Sequence, residues 1–115
     1  MKNDLISKHC KSCEGIGFVL TTEQIDNLML QLDKSWFVVS DNSAIHKSFS
    51  FKNFYETISF VNAVAWISNM ENHHPDLEIG YNYCRIKLST HALNGLTQND
   101  FICAAKIDRL LDNKE

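Results

Sequence analysis

Leu77-Glu78-Ile79-Gly80-Tyr81-Asn82-Tyr83-Cys84-Arg85-Ile86-Lys87-Leu88-Ser89 decides the fold of this chain. Residues 77–81 alternate cleanly, and Asn82-Tyr83 is the expected turn. Cys84, Ile86 and Leu88 then alternate with Arg85, Lys87 and Ser89, the pattern of a strand with one buried and one wet face. A connection this short makes the pair an antiparallel hairpin. Upstream, Ser50 is placed to cap a long helix running from Phe51 to about Asn72. Phe51, Phe54, Tyr55, Ile58, Val61 and Ala65 line its expected face, with Phe60, Val64 and Ile67 widening it. That helix must end near His73-His74, because Pro75 disfavours the α region for His74.

Further upstream, Trp36-Phe37-Val38-Val39-Ser40 and residues 44–49 read as two more strands about an Asp41-Asn42-Ser43 turn. Before them, Thr21 and Gln24 form a capping box ahead of Ile25, Leu28, Met29 and Leu32 at helical spacing. Downstream, Gly95 breaks the chain. Thr97 and Asp100 form a second capping box, and Cys103, Ile107, Leu110 and Leu111 follow at helical spacing. The order helix, two strands, helix, two strands, helix predicts an α+β two-layer architecture. One domain spans 1–115, with 1–19 expected as a loosely ordered N-terminal arm.

The chain has 115 residues, 44% hydrophobic and 22% charged, with a formal net charge of -3. That length buries roughly two thirds of the surface of the unfolded chain. No basic run offers the electrostatic footprint of a nucleic-acid binder. No apolar stretch approaches the ~18 residues of a membrane span, and residues 1–8 lack the apolar core of a signal peptide. A cytoplasmic location is the expectation. Cys10 and Cys13 make a lone C-x-x-C with no second ligand pair, so reduced thiols are expected rather than a zinc site or a redox motif.

Three of the five histidines flank the hairpin: His73 and His74 before it, His91 after it. Strand alternation puts His91 on the Arg85/Lys87 side. Imidazole can give or take a proton near neutral pH, so the trio can serve acid–base chemistry. A three-histidine metal site with Glu71 or Asp76 in support is the weaker alternative, because the side chains of adjacent histidines diverge in an extended chain. The plainer alternative is that these rings only cap a helix and occupy surface turns. Trp36 or Tyr81 could wall a pocket for a planar ligand. His46 reads as structural, and Asp100 as a cap before a catalyst.

Glu71-x-His73-His74-Pro75, Tyr81-Asn82, Leu88-Ser89-Thr90-His91, Gly95-Leu96-Thr97 and Asp100 run in the order and spacing of the pterin-4a-carbinolamine dehydratases, which the chain resembles from about Leu20 to Leu111. The resemblance implies a four-stranded antiparallel sheet with helices packed on one face. It implies dehydration of 4a-hydroxytetrahydropterin to quinonoid dihydropterin, which regenerates the cofactor of aromatic amino-acid hydroxylases, with no metal and no other cofactor. By the family pattern His73, His74 and His91 are the catalytic acid–base groups. Asn72, His73, His74, Ser89, Thr90, His91 and Ala92 contact the substrate, and Trp36, Glu71, Pro75 and Asp100 are further candidates. Asn72 replaces the aspartate of the animal enzymes, and an amide cannot raise a neighbouring imidazole's basicity as a carboxylate would. His74 or His73 is the expected acid; the base is left between His91 and the remaining ring. A homodimer or homotetramer is expected, and the resemblance implies a second role, since animal members act as dimerisation cofactors of a homeodomain transcription factor. A protein-interaction module without catalysis is therefore the alternative.

Overall fold

In a computed structural model, residues 4–111 are described, apart from the side chains of Cys13 and Glu14. The ends of the 1–115 domain and the thiol of Cys13 therefore lie outside the described residues. The hairpin forms as the alternation requires. Strands β3 (Asp76–Ile79) and β4 (Tyr83–Leu88) pair antiparallel, with Leu77 opposite Ile86 and Ile79 opposite Cys84. The turn is Gly80-Tyr81-Asn82, one residue earlier than expected, closed by the Gly80 N–H on the Tyr83 carbonyl at 3.0 Å. A β-carbon at Gly80 would run into the Tyr83 ring, which explains the glycine.

Strands β1 (Phe37–Val38) and β2 (Ile45–Ser50) complete a four-stranded sheet in the order β1-β2-β4-β3, antiparallel throughout. Strand β1 is shorter than the pattern suggested. Trp36 turns into the core, and the Val39 N–H on the Ala44 carbonyl already closes the turn. Ile45, Phe49, Cys84, Ile86 and Leu88 are buried on one face of the sheet, while Arg85 and Lys87 are exposed on the other.

Helices α1 (Cys13–Ile16), α2 (Thr22–Met29), α3 (Phe54–Glu71) and α4 (Gln98–Arg109) accompany the sheet. Phe101, Ile102, Cys103, Ala104, Ala105 and Ile107 of α4 join Phe60 and Val64 of α3 in one core with the sheet's apolar side. Each fully buried large apolar side chain contributes about 1.5–3 kcal/mol. Both capping boxes form, at Thr21/Gln24 and Thr97/Asp100.

Helix α3 departs from expectation at its start and in its phase. Asn53, not Ser50, is its cap, accepting from the Glu56 N–H at 2.9 Å, because the Phe51 N–H is used on the Asn82 carbonyl. Its buried residues are Thr57, Phe60, Val64, Ser68 and Glu71, whereas Phe54, Tyr55 and Ala65 are exposed. Thr57 and Ser68 can be buried because their hydroxyls donate to backbone carbonyls, Thr57 to Asn53 and Tyr81, Ser68 to Val64.

Described residues of the N-terminal arm pack on the core. Residues 4–7 form a 3-10 turn that packs on α4, and Leu5 is buried in the core.

Candidate active site

The corner at which α3 ends is built by one backbone choice. Asn72 adopts the left-handed conformation, φ 53° and ψ 43°, and terminates the helix. Asparagine tolerates this region better than other side chains. The His73 N–H bonds the Ser68 carbonyl, and the chain then turns toward β3 through Pro75. His73 is consequently carried inward, toward α4, while His74 stays exposed.

His73 Nε2 lies 2.7 Å from Asp100 Oδ1, with the imidazole only 10% exposed and the carboxylate fully buried. The other carboxylate oxygen, Oδ2, accepts from the Thr90 hydroxyl at 2.8 Å and from the Thr97 N–H at 3.0 Å. Thr90 has one proton, committed to Asp100, so the Thr97 hydroxyl, 2.8 Å away, donates to Thr90. With Asp100 as a carboxylate, His73 must donate through Nε2. Its tautomer is thereby fixed, leaving Nδ1 to exchange a proton. The Asp100 cap and the Asp100 site are thus one structure, where the sequence had set the two roles against each other.

Thr90 and Gly95 are joined as a bridge that closes a small loop, and His91 opens the 3-10 turn His91–Leu93 within it. His91 therefore follows the strand instead of ending it, since β4 stops at Leu88. Its ring is 67% exposed and its Nε2 lies 4.0 Å from Asp76 Oδ1. Asp76 pairs across the sheet with Lys87, so His91 does reach the Lys87 side. His74 lines a groove of about 530 Å³ with Asn62, Ala65, Trp66, Ser68, Asn69, Pro75 and Leu77, a size suited to a small ligand. Neither His73 nor His91 lines that groove. The three histidine segments meet through Asp100, which holds His73 directly and Thr90, the neighbour of His91, on its other oxygen.

Several candidates fall elsewhere. Thr90 is buried and fully engaged, so it positions Asp100 and has no surface for a ligand. Trp36 is no pocket wall: it is buried, with its indole N–H on both Asp108 oxygens at 3.0 Å and Lys47 over its ring. Tyr81 is exposed in the hairpin turn. Glu71 supports none of the three histidines. It accepts from the Cys10 N–H at 2.8 Å and pairs with His9 and Lys106. Burial pushes the Glu71 carboxyl up, but the Cys10 N–H, His9 and Lys106 outweigh it and hold it below its ordinary value. Asn72 and Ala92 are exposed and Ser89 is half-buried. Trp66 is the residue that the sequence reading missed. Its position among the apolar residues of α3 gave no sign that it faces outward beside His74. Among the described residues, no group of three or more His, Cys, Asp or Glu side chains is placed to hold a metal ion, and no helix is long and apolar enough to cross a membrane.

A two-layer α+β domain with a buried aspartate-held histidine beside a proline-fixed second histidine defines a class, and comparison identifies it. Residues 19–110 match the model of the family described as pterin 4 alpha carbinolamine dehydratase. The chain belongs to this family of hydro-lyases. A Legionella pneumophila (strain Corby) protein named "putative pterin-4-alpha-carbinolamine dehydratase" is 69% identical over 111 residues, 96% of this chain and 98% of that one. A protein of the same name from Nitrosomonas eutropha is 54% identical over 108 residues, covering 94% of each. Among solved structures, a transcriptional coactivator/pterin dehydratase from Brucella melitensis superposes with a TM-score of 0.76 at 32% identity, over 80% of this chain and 97% of that one. A pterin dehydratase-like protein described as a RuBisCO assembly factor in the alpha-carboxysome gives 0.60 at 26% identity, over 70% and 93%.

Proposed function

We propose that this protein dehydrates 4a-hydroxytetrahydropterin to quinonoid dihydropterin by histidine acid–base catalysis, serving cofactor regeneration for aromatic amino-acid hydroxylases. Loss of the 4a-hydroxyl as water needs a proton at the departing oxygen and a base for the proton on the pterin ring nitrogen. Protonated on both nitrogens, the His73 ring delivers the first from Nδ1 while Nε2 keeps its bond to Asp100, which balances the positive charge of the ring until the transfer. His91, exposed at the head of its turn, takes the second. His74, Trp66 and Pro75 of the neighbouring groove take one edge of the bicyclic ring, the indole supplying an apolar face, and leave its 4a side toward His73 and His91. No metal or other cofactor enters these steps, and the reaction takes place in the cytoplasm.

The observation that carries this reading is the 2.7 Å pair between His73 and a carboxylate with no exposed surface. A buried charge held by three donors, one of them a nearly buried imidazole, suits proton transfer better than a cap alone requires. The test is direct: purified protein is mixed with freshly generated carbinolamine, and quinonoid dihydropterin is followed by absorbance, with and without a chelator. Turnover above the spontaneous rate, indifferent to chelation, is expected. No acceleration, or activity abolished by the chelator, would refute the proposal.

A further inference from the structure

The described N-terminal segment is fixed to the core by a lattice of polar contacts centred on one cysteine. The Cys10 N–H donates to Glu71 Oε1 at 2.8 Å. The Lys11 N–H donates to Asn99 Oδ1 at 3.0 Å, and Asn99 Nδ2 returns a bond to the Lys11 carbonyl at 2.7 Å. Lys106 adds a bond to the Ile6 carbonyl at 3.0 Å. Held this way, the Cys10 sulfur lies 3.7 Å from that of Cys103 on α4, a residue 93 positions away in the chain. Both are free thiols, Cys10 half-buried and Cys103 buried. The proton transfer of the proposed reaction uses neither.

We infer that Cys10 and Cys103 are a thiol pair that a small-molecule disulfide converts into an intramolecular bridge, fastening the N-terminal segment to the helix that carries Asp100. Bridge formation brings the two sulfurs from 3.7 Å to the S–S bond length of about 2.05 Å. The partially accessible Cys10 attacks one sulfur of the incoming disulfide RSSR and displaces the first thiolate, leaving a mixed disulfide on Cys10. Cys103 then attacks the Cys10 sulfur, expels the second thiolate and surrenders its proton to it. Two protein thiols and RSSR become one protein disulfide and two RSH. The order of attack follows from access. Contact with Cys10 and burial hold the Cys103 thiol far above the ordinary cysteine range, so Cys103 resolves instead of initiating.

The test uses the full chain, equilibrated in glutathione buffers of rising disulfide fraction, quenched in acid, alkylated and mapped by mass spectrometry. A Cys10–Cys103 linked peptide pair is expected. The oxidised protein is expected to melt roughly 5–15 °C above the reduced one, since the bridge closes a long loop. That rise should vanish in Cys10→Ser. Persistently reduced cysteines, a Cys10–Cys13 bridge, a glutathione adduct that remains on Cys10, or a bridge with an unchanged melting temperature would overturn the inference. The mapping needs only the unaltered protein, so a poorly folding variant would not blunt it.

Discussion

At the scale of single residues, the centre of the molecule is Asp100. Its position three residues after Thr97 announced a helix cap, and the cap is there. Nothing in the spacing announced that its second oxygen would take His73, 27 positions earlier. Such a pairing depends on where α3 ends relative to where α4 begins, which local pattern does not encode. Asp100→Asn should lower kcat on the order of 10- to 100-fold with a smaller change in KM, because an amide cannot both orient His73 and balance its charge. Steady-state kinetics on the folded variant would settle it, an unchanged kcat counting against a positioning role. Thr90→Val should cost about 1–3 kcal/mol by leaving one carboxylate oxygen short of a donor, measurable by urea denaturation. Thr90 had been grouped with the substrate contacts by family resemblance alone; its burial gives it this different task.

Elements were more legible than their faces. The alternation at Cys84, Ile86 and Leu88 placed β4 and its buried side correctly, because a period of two on a one-sided sheet leaves no other solution. Helix α3 was found, but of its expected face only Phe60 and Val64 are fully buried. Apolar residues surround it nearly all round, and the residues that decide the phase are Thr57 and Ser68, whose hydroxyls satisfy themselves on carbonyls. The consequence is an outer face bearing Phe54, Tyr55, Trp66 and Met70, with Trp66 beside His74. Trp66→Ala should raise KM for the pterin by roughly tenfold while leaving kcat nearly unchanged, the loss of one aromatic contact. A kcat effect with KM intact would place the ligand elsewhere. At the end of the same helix, Asn72→Ala should lose about 1 kcal/mol and Asn72→Gly little or nothing, since only alanine is strained at φ 53°. Thermal melts of the two variants would show the ordering.

For the whole molecule, the N-terminal segment and the acid response belong together. Glu71 is held below its ordinary carboxyl value by the Cys10 N–H and His9 of that docked segment together with Lys106 of α4. Its contribution to stability is present above the unfolded carboxyl value, about 4.5, and is lost as pH falls through the lower folded value. Glu71→Gln should therefore be less stable than the native protein at neutral pH and show a shallower loss on acidification below about pH 4.5. Denaturant midpoints measured across that range would reveal it, parallel curves for the two proteins being the contrary result. The exposed apolar face of α3 gives a second expectation at this scale, that the protein self-associates as a dimer or tetramer. Light scattering on the eluted protein, with Tyr55→Lys shifting it to a smaller species, is the check; a native protein that is monomeric at micromolar concentration would contradict it.

In the proposed reaction the aspartate-bound imidazole of His73 supplies the proton for the departing oxygen. Its removal is the sharpest probe available. The initial rate of carbinolamine dehydration by His73→Ala, at saturating pterin and compared with the native protein, should fall by a factor on the order of 10² to 10⁴. A rate within twofold of the native value in a correctly folded variant would contradict the account.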